Sequence, residues 1–255
     1  MAKSEVEKMR KATTQQEYRQ VLSRVEVSTC AELLAERARI PEIFSPMEQY
    51  RHKRTKQKAA VVGGLWHLFS ASMPGFLCTA AGLLDNNQQR FSLVQIIWEE
   101  LGSGHPNDIH AQMFRRVVVA AGVSEEEIDS IQEQFGDGLP LASLSLSLHS
   151  CREAARVLGL CAGLEAPAKE NIELLFDSLS YAPGRESRLA DEQFFKLHRV
   201  IEGEHICLGT SNYMRFCTEP EDQKAFLSGF DAGVDFFRAF WRYTSEVIER
   251  VDRDG

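Results

Sequence analysis

No segment of this 255-residue chain alternates apolar and polar residues between hairpin turns, so nothing in it reads as a sheet. No period of about 20 to 50 residues repeats and no stretch is of low complexity, which excludes solenoids and biased linkers. The six cysteines, at 30, 78, 151, 161, 207 and 217, form no close CxxC pair, and several have apolar helical neighbours. Buried free thiols in a reducing cytosol are expected. No uninterrupted apolar run reaches about 18 residues, and the charged start from Met1 to Lys8 has no signal-peptide core. The expectation is a cytoplasmic protein that does not enter a membrane. Cations cluster only at Arg51-His52-Lys53-Arg54 in a chain of net charge -8 and pI near 5.5, so no nucleic-acid surface is expected.

What is present is ordinary globular composition, 44% apolar and 26% charged, patterned throughout at helical spacing. After a sparse arm over residues 1–12, the pattern predicts a helix from Thr13 to about Arg39, ended by Pro41. Ser45-Pro46 with Glu48 reads as the start of a long helix from Met47, kinked or interrupted at Gly63-Gly64 and Pro74-Gly75. Phe91 to Trp98 is apolar nearly all round, predicting burial, and carries Glu99 and Glu100 with it. The run 101–106 breaks that helix, and Asn107 or Asp108 can cap the next, through His110 to about Ala121. Ser124 to Glu127 is a capping box. Helices are then predicted over 139–163, 166–181 and 189–215, with a last one from Thr218-Glu219-Pro220-Glu221. The aromatic stripe of that last helix, Phe226 to Tyr243, reads as core. One all-α domain over 1–255 is expected.

The chemistry centres on Phe194 to His205. At about 100° per residue, His198, Glu202 and His205 lie at i, i+4 and i+7 on one helical face, and two imidazoles with a carboxylate suit a redox iron with open positions. Other ligand-type residues in apolar helical surroundings are Glu99, Glu100, His110 and Glu165, with His67 and His149 less well placed. A carboxylate held in a core costs several kcal/mol, on the order of the Born penalty after relaxation, unless it is paired or on a metal. Glu100, His110 and Glu165 joined to the last motif make three carboxylates and three imidazoles, about what two irons need.

Glu100-Leu101-Gly102-Ser103-Gly104 with His110, Gly163-Leu164-Glu165, and His198-x3-Glu202-x2-His205 after Phe194-Phe195 resemble the haem-oxygenase-like di-iron oxidase and oxygenase superfamily, related to TENA-, PqqC- and CADD-like proteins. The resemblance covers most of residues 45 to 250. It implies an all-α, seven-helix bundle binding two Fe(II), the second often labile, with O2 as co-substrate. Carried over by position, Glu100 would be the bridging carboxylate, His110 and Glu165 would each complete one iron, and His198, Glu202 and His205 would supply the rest. Glu202 departs from the usual Asp of the family. No acid in the 70s offers the extra ligand of some N-oxygenases, and Lys169 is not at the spacing of the self-sacrificing synthase lysine.

The implied activity is O2-dependent oxidation of a small organic molecule, by desaturation, cleavage or N-oxygenation, in biosynthesis. An amino acid is the favoured substrate and a fatty acid the alternative, held by a wall with Trp66 and Phe69 and a cation such as Arg152 or Arg199. A homodimer and an external electron donor are compatible with this reading. The rival class is a helical binding or effector protein with a vestigial metal site. Ferritin-like proteins need two Glu-x-x-His units and only one exists here; a Cys151 nucleophile beside His149 reads better as packing. The reduced chain is expected to bind up to two Fe(II), and His205→Ala to lose at least one, measured by metal analysis of anaerobically loaded protein.

Overall fold

The computed structural model describes residues 27–254, except for the side chains of residues 27–29, 31, 185, 199–209 and 254. Within them the chain folds into twelve α-helices joined by turns and short 3-10 segments, where the resemblance implies seven. In order these are α1 (Val27–Ala38), α2 (Ile40–Phe44), α3 (Lys56–Gly82), α4 (Asn87–Glu100), α5 (His110–Ala120), α6 (Glu125–Phe135), α7 (Leu141–His149), α8 (Ala154–Glu165), α9 (Ala168–Leu179), α10 (Arg185–Asp191), α11 (Gln193–Phe216) and α12 (Pro220–Asp254). The extra pieces are short helices and helices divided by turns. The predicted start of α1 at Thr13 lies outside the described residues.

The centre of the bundle is α3, packed against α4 to α6 on one side and α9 and α12 on the other. Its length and composition would suffice to cross a membrane. Sixteen of its residues, from Lys58 to Ala81, are nevertheless buried within the bundle. It begins at Thr55, whose side chain accepts from the Lys58 amide, and not at Met47: residues Ser45–Tyr50 form a 3-10 turn. Neither predicted interruption breaks it. A Cβ at Gly63 would come within 2.7 Å of Val118, and one at Gly64 within 2.9 Å of Ile131, so these glycines let α5 and α6 close onto α3.

Helix α8 lies backbone to backbone against α12. A Cβ at Gly159 would overlap the Phe226 carbonyl oxygen, one at Gly163 that of Phe230, and one at Gly229 that of Arg156. A Cβ at Gly233 would lie 2.5 Å from the Leu160 carbonyl. Two glycine pairs, each four residues apart on facing helices, thus leave no side chain at the points of closest approach. Beside it, Trp66 stacks on Trp241 at 5.8 Å and 17°, and Phe69, Phe236, Phe237 and Phe240 complete the aromatic core predicted for the last helix.

Several local expectations are corrected. Helix α4 is not buried all round: Ser92, Leu93 and Ile96 face the bundle, while Phe91, Val94 and Trp98 are exposed. Helix periodicity locates an apolar surface but does not say how many neighbours cover it. The segment 139–163 is two helices, parted by Ser150 to Glu153. Pro41 does not close α1; it sits in the first turn of α2, after Arg39 at φ 47°. Neither Asn107 nor Asp108 caps α5, which follows Ile109 without a side-chain cap. The capping box at Ser124 and Glu127 is present in both directions.

The glycine contact gives a stability test. Gly163→Ala is expected to destabilise by at least about 2 kcal/mol, because backbone cannot yield as a side chain does. Gly75→Ala, whose Cβ meets nothing within 4 Å, should be neutral or stabilise by up to about 1 kcal/mol through helix propensity. Chemical denaturation of the two variants checks both.

Candidate metal centre

Two of the proposed ligands are brought together by one short loop. Glu100 is the last residue of α4 and His110 the first of α5. The chain between them turns through three consecutive left-handed residues, Gly102 (φ 83°), Ser103 (φ 51°) and Gly104 (φ 89°). A Cβ at Gly102 would overlap the His105 carbonyl, so the tightness of the turn requires glycine there. Ser103 adopts the same region at a cost on the order of 1 kcal/mol. The outcome is a Glu100 Oε1 to His110 Nδ1 separation of 3.3 Å.

That pair is not hydrogen-bonded: His110 Nδ1 is fully enclosed with no partner. A nitrogen and a carboxylate oxygen side by side without a shared proton are placed as two donors to one cation. Adjacent ligands each about 2.1 Å from one ion stand roughly 3 Å apart. The His198 ring lies 4.6 Å from the His110 ring, centroid to centroid. Its Nδ1 is 2.7 Å from the Phe194 carbonyl oxygen one turn back and donates to it, which puts the lone pair of the neutral ring on Nε2. Phe194, with its ring 3.9 Å away, fixes the plane of the imidazole.

Glu165 is the last residue of α8, two places beyond Gly163. It faces Glu100 and His198 across a cavity of about 80 Å³, with Trp66, Phe69, Ser70 and Asn171 among the other lining residues. A second cavity, of about 150 Å³, is also lined by Glu165, with Leu34, Lys169, Thr210 and Phe230. Glu100 and Glu165 both end helices, where the dipole disfavours negative charge, and both border one chamber. A cation between them is the natural counterweight.

The structure therefore gathers Glu100, His110, Glu165 and His198, and it places Trp66 and Phe69 on the cavity wall. Glu202 and His205 follow one and two turns along α11, and their side chains, like that of Arg199, lie outside the described residues. Among the described residues no three ligand-type side chains stand close enough to grip one ion as they are. Arg152 does not belong to the cavity: it is exposed, ahead of the N-terminus of α8, and Glu165 ends that helix about 18 Å away.

The remaining candidates are accounted for elsewhere. His67 Nδ1 lies 2.7 Å from Gln132 Nε2, and burial followed by the Arg115 charge pushes its pKa down. His149 Nδ1 lies 2.7 Å from the Ser145 carbonyl oxygen on its own helix. Cys151 Sγ is 3.3 Å from the Ser147 carbonyl, and burial raises its pKa, so nothing makes it a nucleophile. Burial also pushes Cys30 up to about 11 and Cys217 to about 12; Cys161 goes higher still, by burial and then the Glu165 charge. The described cysteines are free, and all but Cys78 are buried. Asn171 and Ser70 were not among the sequence candidates; Asn171 lies three residues after Ala168 and four before Leu175, on the buried face of α9.

An all-α bundle with carboxylates and imidazoles around an internal cavity is the design of haem-oxygenase-like iron proteins. The chain belongs to the iron-containing redox enzyme family, whose model matches residues 65–238. A crystal structure of a CADD-like protein of unknown function from Nostoc punctiforme, at 2.00 Å, has a TM-score of 0.62 at 19% identity, covering 87% of this chain and 97% of that one. A second crystal structure of that protein, at 1.35 Å, gives 0.65 at 17% identity, covering 89% and 97%. At those identities the likeness is one of fold. None of the curated proteins matches the chain.

Glu100→Gln separates a ligand from a structural partner. It should stabilise the metal-free protein by about 0.3–1 kcal/mol, by removing charge from a helix C-terminus, while lowering Fe(II) uptake. Lower stability with unchanged uptake would make Glu100 a structural partner of His110 instead.

Proposed function

We propose that the chain is a non-haem iron oxidase or oxygenase that uses O2 to desaturate, cleave or N-oxygenate a small organic substrate. The observation that carries this is the Glu100 and His110 pair, 3.3 Å apart with no shared hydrogen bond, beside His198 and a cavity that Glu165 also lines. Membership of the iron-containing redox enzyme family supports the metal. Glu100, His110, Glu165 and His198, with Glu202 and His205, would hold two Fe(II). Bound iron supplies the electrons and the activation of dioxygen.

The chain supplies what surrounds that step. Trp66, Phe69, Met73, Phe194 and Phe237 line the chamber with apolar surface that keeps bulk water away from the reacting groups. The Phe194 carbonyl holds the His198 tautomer. Size limits the occupant: a chamber of about 80 Å³ is smaller than the roughly 150 Å³ that admits benzene in an engineered core, so it suits a small substrate or the reacting end of a larger one.

Anaerobic Fe(II) titration followed by oxygen-electrode measurement tests the reading. The unaltered chain is expected to bind up to two Fe(II) and consume O2, and His198→Ala should lose at least one iron and most of the consumption. A chain that binds no Fe(II), or a His198→Ala variant with undiminished loading, would remove the proposal.

A further inference from the structure

Apart from its candidate ligands, the cavity carries two polar side chains, Ser70 from α3 and Asn171 from α9, set among aromatic and aliphatic groups. Asn171 is 1% exposed, and its Oδ1 accepts from Trp241 Nε1 at 2.9 Å. An indole nitrogen only donates, which settles the orientation of the amide: the oxygen faces Trp241 and the NH2 group faces away. Trp241 is itself fully buried and stacked on Trp66, so the amide is held from behind by the rigid aromatic core. Asn171 lines the cavity, so the NH2 group is the one it can present there. An amide NH2 on a cavity wall, its oxygen already engaged, is a placed donor to whatever occupies the chamber.

Ser70 adds a complement. Its hydroxyl both donates and accepts, and Pro74, four residues on in α3, offers no N–H to the Ser70 carbonyl. The chamber lining therefore combines a fixed donor with acceptor capacity. No lysine or arginine is among the described residues that line it, and two carboxylates are. A free anion placed there would lose its hydration and meet two carboxylates.

We infer that Asn171 and Ser70 form the site that recognises the substrate, and that they select an uncharged donor-acceptor group such as a carboxamide or an alcohol. The assignment rests on the proposed catalytic use of the cavity only in calling its occupant a substrate. The amide presented by Asn171 donates to the oxygen of the occupant, and Ser70 accepts from its N–H or O–H. The apolar remainder lies along Trp66 and Phe69, oriented with respect to Glu100 and His198.

The test uses propionamide and propionate, which share size and shape and differ in charge and donors, titrated into the full chain with and without Fe(II). Trp66 lines the cavity, so tryptophan fluorescence reads occupancy. Propionamide is expected to bind the metal-free chain at least about tenfold more tightly than propionate. Asn171→Asp keeps an acceptor for Trp241 and removes the donor, so it should weaken propionamide at least about tenfold; Ser70→Ala should weaken it about threefold or more. Equal affinity for the two probes, or unchanged propionamide binding in the variants, overturns the assignment. If Asn171→Asp loses its helical circular dichroism, Ser70→Ala decides. Iron measured on the same samples keeps the two readings apart. A propionamide preference without iron uptake supports this site and removes the oxygenase function; iron uptake without the preference does the reverse.

Discussion

The contact on which the rest of this structure depends is between the backbones of α8 and α12. Four glycines, at 159, 163, 229 and 233, face carbonyl oxygens of the opposite helix with no space for a Cβ. Such an approach leaves no flexible atoms to absorb a change, and it fixes both the separation and the sliding position of the two helices. Glu165 leaves α8 two residues after the last of its glycines, so its distance from the far wall of the cavity follows from that register. The aromatic residues of α12 are placed by the same contact. They stack on Trp66 and Phe69 of α3 and make the rigid back of the chamber.

The donors divide by how they are assembled. Glu100 and His110 meet across a local turn of ten residues. Glu165 and His198 arrive on helices from distant parts of the sequence, through packing alone. Closing a loop of ten residues costs little entropy, and long-range positions depend on every contact that supports them.

Helix content and the aromatic core were legible because periodicity reports them directly. The ends of elements were less so. Ser45-Pro46 carries a helix-start signature, yet only a 3-10 turn follows, and Thr55 does the capping. Gly63 and Gly64 look like breakers and are sites of close approach, a distinction that depends on Val118 and Ile131 far along the chain. The break at Ser150 to Glu153 contains neither Gly nor Pro to announce it. The candidate ligands Glu100, His110, Glu165 and His198 stand out in the sequence as charged or titratable groups in apolar runs. Arg152 could not be rejected from sequence, since the twelve residues of α8 that carry it away from Glu165 become distance only in three dimensions. Asn171 is not among the sequence candidates, although its spacing from Ala168 and Leu175 puts it on the buried face.

The division between local and distant donors has a thermodynamic consequence for α11. A cation shared between the Glu100 and His110 turn and His198 would cross-link a preassembled half-site to a helix that begins more than eighty residues later. Its binding energy would appear as resistance of α11 to local opening, in proportion to the logarithm of free metal concentration, while α3, α8 and α12 gained little. Hydrogen exchange along the chain would then vary from helix to helix with metal supply, making the bundle a buffer whose softest member is set by the ion it holds.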